Sequence, residues 1–253
     1  EEQKKRLTRV LGTLINPTGL MGWAKTHHPD ASFLIESVLR RPPLVILAGD
    51  VGSGKTALAE SIGDAVARQE GVDIQLFPLS LASRGQGRVG EMTQLVSSAF
   101  DYAGSQAEKL KSTPGGHRGG VILLIDEADA LAQSRENAQM HHEDRAGVNA
   151  FIRGIDRMAS EKLPAVVIMC TNRLGSLDPA VKRRAAEIME FSRPDDEQRR
   201  AILEMALGPL GIGASYIEHF VTATGNMDRD YGFTYSDITQ RLLPAIVLDA
   251  YTG

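Results

Sequence analysis

The sequence predicts an α/β fold: a parallel sheet sandwiched by helices, followed by a small C-terminal α-helical domain. Three observations predict it. Residues 44–48, 121–125 and 165–170 are short aliphatic runs without alternation, the pattern of strands buried on both faces. Helical patterns fall between these runs, as crossovers between parallel strands require. From Pro194 onward only helical patterns occur.

Taken in order, residues 1–41 are charged and then mixed, with turns at Asn16-Pro17 and His28-Pro29. Phe33, Leu34, Val38 and Leu39 form a helix-like stripe that Pro42-Pro43 must end. After the strand at 44–48 comes a glycine-rich loop. A helix over 54–68 follows, with Ala57, Leu58, Ile62, Ala65 and Val66 on its apolar side. A second strand is expected at 74–79, a loop over 82–91 and a helix over 92–111. Residues 113–120 read as a glycine-rich connector into the strand at 121–125. Residues 134–147 are polar. A helix over 146–159, the strand at 165–170 and a weaker strand at 188–191 complete the sheet. Helices are expected at 195–207, 214–223 and 235–250. The expected division is a large α/β domain over 1–192, with 1–41 as its lead-in, and a small helical domain over 193–253.

A length of 253 residues fits one large domain plus one small one at about 150 residues per domain. Lys and Arg total 28 against 32 Asp and Glu, a formal charge of −4, which excludes a strongly basic nucleic-acid-binding domain by composition. A single cysteine, Cys170, excludes an intramolecular disulfide and fits a reducing, cytoplasmic setting. No apolar run approaches the ~20 residues of a membrane span. No signal segment opens the chain, whose first residue is Glu1 and not Met, and segments flanking these residues are left open.

Gly49-Asp50-Val51-Gly52-Ser53-Gly54-Lys55-Thr56 matches G-x-x-x-x-G-K-[ST] between an aliphatic strand and a helix. Glycines let backbone N–H groups converge on phosphate oxygens, and the following helix adds its positive end. Lys55 can reach the β- and γ-phosphates, and the Thr56 hydroxyl can ligate Mg²⁺. This predicts binding of ATP with Mg²⁺. Ile125-Asp126-Glu127-Ala128-Asp129 closes the strand at 121–125. An acid at the carboxyl end of a parallel strand faces the crevice where ligands sit. Asp126 is expected to hold Mg²⁺ through a water, and Glu127 to polarise the attacking water. An acidic helix start is the plainer explanation of such a pair, and the upstream cradle weighs against it.

The order of these motifs resembles an AAA+ ATPase, a P-loop NTPase, over about residues 43–250. On that resemblance Thr171-Asn172 corresponds to sensor 1, with Asn172 at the γ-phosphate or the attacking water; alone it is also an ordinary turn residue. Leu177-Asp178-Pro179-Ala180-Val181-Lys182-Arg183-Arg184 is similar to the segment that carries arginine fingers. Arg183 and Arg184 would then reach the nucleotide of a neighbouring subunit in a hexameric ring. Residues 195–207 and the later helices resemble the family's lid, and Gly232-Phe233-Thr234-Tyr235-Ser236-Asp237-Ile238 the lid stretch near the nucleotide. No sensor 2 arginine stands out; Arg241 reads as a surface residue. In this family hydrolysis changes the lid and moves the pore loops.

Gly87-Arg88-Val89-Gly90-Glu91 resembles the first pore loop, usually Lys-aromatic-aliphatic-Gly-Glu. Arg88 replaces the aromatic and Gly87 the lysine, so six copies would present a ring of positive charge instead of an aromatic grip. Residues 134–147 correspond to a second pore loop. Within it, His141-His142 cannot share a helix face, which argues against a metal pair; His27-His28 reads the same way. Cys170 reads as core, and Trp23 as a local anchor. Glu91-Met92-Thr93-Gln94-Leu95-Val96 and Leu243-Pro244 resemble pachytene-checkpoint-type ATPases, remodellers of HORMA-domain proteins whose bacterial relatives act in nucleotide-signalling antiphage systems. The resemblance implies a HORMA-domain partner opened by ATP hydrolysis. Two other classes stay open. One is a nucleic-acid motor using Arg84 and Arg88, against the acidic charge and the lack of interleaved aromatics. The other is a nucleotide-gated scaffold, against the intact catalytic set.

Overall fold

The computed structural model of the chain describes residues 2–81, 91–111, 117–131, 142–226 and 231–252. Five strands form one sheet: β1 (Leu44–Gly49), β2 (Asp73–Ser80), β3 (Gly119–Asp126), β4 (Ala165–Thr171) and β5 (Glu187–Phe191), in the order β2-β3-β4-β1-β5. The β2–β3, β3–β4 and β1–β4 pairings are parallel, with Ala48 opposite Thr171 and Ile125 opposite Met169. The aliphatic runs occupy the central strands β1, β3 and β4, whose side chains are buried almost throughout. β2 alternates between exposed and half-buried, as an edge strand does. Within the large unit this topology sets Asp126, at the end of β3, and Asn172, just after β4, at the carboxyl ends of adjacent strands.

The lead-in is more ordered than its composition suggests. It contains α1 (Glu2–Ile15), α2 (Pro17–His27) and α3 (Ser32–Leu39). Leu7, Leu11 and Ile15 recur every four residues and are fully buried, so α1 lays a narrow apolar stripe on the large unit. Asn16 and Pro17 make the α1–α2 break, with Pro17 in the first turn, where its missing N–H costs nothing. Trp23 is half exposed, beside the rings of His28 and His27, and does not serve as a buried anchor.

α4 (Lys55–Glu70), α5 (Glu91–Leu110) and α6 (His142–Ser160) are the crossover helices. α5 and α6 build the main core on one side of the sheet, where Phe100 and Phe151 meet edge to face at 5.6 Å. A 3₁₀ turn (Ala128–Leu131) follows β3, and the short α7 (Pro179–Lys182) precedes β5.

The chain separates into two compact units. One comprises Glu1–Ala48 and Thr56–Glu190; the other comprises Gly49–Lys55 and Phe191–Gly253. The glycine-rich loop therefore groups with the C-terminal helices. Those are α8 (Asp196–Leu207), α9 (Ala214–Ala223) and α10 (Leu243–Thr252), around a core of Leu203, Leu207, Ile217, Val221 and Ile238. Asp195 starts α8 with a capping box to Gln198. The helix expected over 235–250 is helical throughout, but not α-helical throughout: a π-helical turn (Asp237–Leu242) runs directly into α10, with Leu243 N–H donating to the Ile238 carbonyl. Pro244 has no N–H and its ring crowds the carbonyl four residues back, so the widened turn falls immediately before it. Among the described residues, no helix is long and apolar enough to cross a membrane.

Candidate active site

The loop between β1 and α4 has the conformation its glycines permit. Gly49, Gly52 and Gly54 have φ of +151°, +76° and +91°, values that L side chains avoid. At Gly49 a Cβ would stand 2.2 Å from the Phe191 carbonyl oxygen, and at Gly52 2.7 Å from Thr234 Oγ1. At Gly54 a Cβ would meet nothing within 4 Å, so the loop opens there into free space. Lys55 is buried, and its Nζ donates to the carbonyls of Gly49 at 2.9 Å and Asp50 at 2.7 Å. The ammonium is thus folded into the concave side of the loop, where a phosphate oxygen can replace a carbonyl.

In the large unit, Thr56 Oγ1 donates to Asp126 Oδ1 at 3.2 Å. A hydroxyl and a carboxylate this close are the protein oxygens that Mg²⁺ takes beside phosphates. Asp126 Oδ1 also accepts from the Glu127 N–H at 2.8 Å. Glu127 itself has φ +53°, in the left-handed region, and its exposed carboxylate accepts from Ser80 Oγ at 3.0 Å. A glutamate in that conformation is held by its surroundings, a common sign of a functional position.

Asn172 follows β4 and is fixed by Asp129. The Asp129 carboxylate accepts from Thr171 Oγ1 at 2.6 Å, from the Asn172 N–H at 3.0 Å and from Asn172 Nδ2 at 3.1 Å. Asp129 belongs to the 125–129 motif, but its partners lie at the end of β4 and just beyond it, so no local sequence pattern reveals what it does.

The two arginines differ. Asp178 N-caps α7, accepting from the Ala180 N–H at 2.7 Å, with Pro179 in the first turn and Leu177 and Val181 buried. Arg183 emerges exposed, without a side-chain partner among the described residues. Arg184 makes a bidentate pair with Asp156, at 2.8 and 3.0 Å, and donates to the Ala180 carbonyl. The Asp156 pairing raises its pKa above the ordinary arginine value.

The helical unit meets the loop at several points. The Ser236 N–H donates to the Gly52 carbonyl at 3.2 Å. Arg193 bonds Asp50, a contact invisible in sequence because 143 residues separate the two. A cavity of about 850 Å³ opens within this unit, walled by Gly49, Asp50, Arg193, Arg199, Asn226 and Tyr231. Hydrogen bonds from the Thr234 N–H and hydroxyl hold the Asp237 carboxyl below its ordinary pKa. Arg241 is a surface residue paired with Asp237 at 3.3 Å. Cys170 is buried in β4. Arg84, Arg88, Val89 and His141 lie outside the described residues.

Residues 45–193 match the family described as ATPase family associated with various cellular activities (AAA). The chain belongs to the AAA family of ATPases. It is 68% identical over 252 residues to CD-NTase-associated protein 6 of Escherichia coli strain MS 115-1, covering 99% of this chain and 81% of that protein. A second protein of that name, from strain KTE188, is 40% identical with similar coverage, 99% and 82%. Among solved structures, a chain of the E. coli MS115-1 HORMA:CdnC:Trip13 complex superposes with a TM-score of 0.89 at 67% identity, over 99% of this chain and 82% of that one. The Rhizobiales Trip13 structure gives 0.75 at 55%, over 99% and 83%.

Proposed function

We propose that this AAA ATPase couples ATP hydrolysis to the remodelling of a HORMA-domain protein, in a bacterial antiphage system. The observation that carries the partner is the near-complete likeness to a chain solved in a HORMA:CdnC:Trip13 complex. The chemistry rests on this chain's own residues. The backbone of Gly49, Asp50, Val51, Gly52, Ser53 and Gly54 shapes the phosphate cradle, with no side chain of Asp50 among the phosphate-binding groups. Lys55 exchanges loop carbonyls for the β- and γ-phosphate oxygens. Thr56, and Asp126 through a water, would hold Mg²⁺, which would neutralise charge on the phosphates. Glu127, steadied by Ser80, aligns and polarises the attacking water. Asn172, fixed by Asp129, senses the γ-phosphate.

Arg183, an exposed cation without a side-chain partner among the described residues, reaches a neighbouring subunit's nucleotide in a homohexameric ring, where an arginine finger is worth roughly 10³–10⁵ in rate. The Arg184–Asp156 pair supports the segment that presents it. Residues 1–192 form the large nucleotide-binding domain and 193–253 the lid. Arg88 and Val89 form the pore loop that engages the partner, and the ring works in the cytoplasm.

The test uses a HORMA protein closed on a fluorescent peptide. Wild-type protein with ATP should release the peptide, while Glu127→Gln with ATP should bind the HORMA protein and release nothing. Release by Glu127→Gln at the wild-type rate, or no release by wild type, contradicts the proposal.

A further inference from the structure

The loop carries an acid where it must receive a polyphosphate. Asp50 is its second residue: its backbone carbonyl accepts Lys55 Nζ at 2.7 Å, and the residue also lines the cavity of the helical unit, so its carboxylate is carried within a few ångströms of the cradle. An uncompensated carboxylate there repels the phosphates and competes for Lys55. Arg193 answers that charge. Its Nε bonds Asp50 Oδ2 at 2.9 Å, and its NH1 donates to the Gly232 carbonyl at 2.8 Å. Its guanidinium carbon lies 4.8 Å from the centre of the Tyr231 ring. Two hydrogen bonds and a cation–π contact fix the guanidinium in one orientation.

The pair is solvent-accessible, with side-chain exposures of 32% for Arg193 and 56% for Asp50. Exposed ion pairs contribute little to stability, so this one's consequence is to be sought in the field at the cradle. Two further contacts within the helical unit hold the loop's backbone. Gly49 abuts the Phe191 carbonyl, and the Gly52 carbonyl accepts from Ser236 N–H. Those contacts hold the backbone on either side of Asp50, whereas Arg193 bonds the Asp50 side chain.

We infer that Arg193 is a positioning residue for nucleotide binding, which neutralises Asp50 and holds its carboxylate away from the phosphates. This rests on the ATPase reading above. It makes the affinity for nucleotide, and not the chemical step, depend on a residue outside the loop.

The experiment titrates a fluorescent ATP analogue into wild type, Arg193→Ala, Arg193→Lys, Asp50→Asn and the Asp50→Asn/Arg193→Ala double variant, with ATP turnover measured in parallel. Arg193→Ala should weaken binding about tenfold and raise KM alike, while kcat stays within about twofold. Arg193→Lys, which keeps the charge, should recover most of the loss. Asp50→Asn should bind at least as tightly as wild type. The double variant should return to within about threefold of wild type, because the charge that needed an answer is gone. A merely structural role predicts the reverse, a double variant no better than Arg193→Ala.

Wild-type affinity in Arg193→Ala overturns the inference, as does a double variant without rescue. Should Arg193→Ala fail to fold, Asp50→Asn decides, and weaker binding by that variant overturns it. A wild-type chain that binds no nucleotide sinks the ATPase reading and this inference together. A wrong pattern among variants, with wild type binding normally, sinks this inference alone.

Discussion

Asp129 offers a prediction whose size follows from geometry. Its carboxylate accepts three hydrogen bonds, from Thr171 Oγ1 and from the backbone and side-chain nitrogens of Asn172. It joins the turn after β3 to the end of β4 and sets the direction of the Asn172 amide. In Asp129→Ala all three donors lose an anionic acceptor. At about 1 kcal/mol each, discounted because the site is half open to water, the loss is about 3 kcal/mol. For a chain of this size that corresponds to roughly 6–12 °C in melting temperature. Catalysis should fall further than stability, since Asn172 is freed to move by an ångström or more, and kcat should drop about 100-fold. KM for ATP should stay near wild type, because the cradle is untouched. Asp129→Asn keeps one oxygen and should lose about 1 kcal/mol. Differential scanning fluorimetry and steady-state phosphate release read both effects. A wild-type melting temperature for Asp129→Ala, or a wild-type kcat, would refute the reasoning.

Other consequences can be checked directly. Arg183→Ala should melt like wild type and lose turnover, and mixing it with Lys55→Ala should restore part of the activity if Arg183 acts in trans; no recovery would argue against that. Arg184→Ala should instead lower stability by about 1 kcal/mol through loss of the Asp156 pair, read as an earlier urea midpoint. Gly49→Ala places a methyl against the Phe191 carbonyl at a φ of +151° and should cost about 3 kcal/mol or more, measured by chemical unfolding; a neutral result would contradict the close approach. Asp237 titrates below its ordinary value of 3.8 in the folded chain, so it binds fewer protons folded than unfolded. Its contribution to stability is present above 3.8 and is lost as pH falls through the lower folded value. Asp237→Asn should flatten that acid limb, and an unchanged limb would remove Asp237 from it.

The sequence made some parts of this molecule legible and hid others, for physical reasons. The central strands were readable because burial on both faces demands uninterrupted aliphatic residues, as at 121–125 and 165–170. The cradle was readable because its glycines, Lys55 and Thr56 lie within one short stretch. α1 carried a readable stripe at Leu7, Leu11 and Ile15, masked by the charged residues before it. The π-turn was foreshadowed only by Pro244. The contacts between Arg193 and Asp50, and between Asp129 and Asn172, were not legible, because no local pattern encodes a partner 143 or 43 residues away. Nor did the Arg183-Arg184 doublet show which arginine is tied down; Asp156 decides that from another helix.

The most direct test of the account measures nucleotide affinity and phosphate release for wild type, Lys55→Ala and Glu127→Gln side by side. Wild type should bind and hydrolyse ATP, Lys55→Ala should do neither, and Glu127→Gln should bind ATP as tightly as wild type while releasing no phosphate. Phosphate release by Glu127→Gln at the wild-type rate would contradict the assignment of the water-activating residue. Near-normal affinity in Lys55→Ala would contradict the cradle itself.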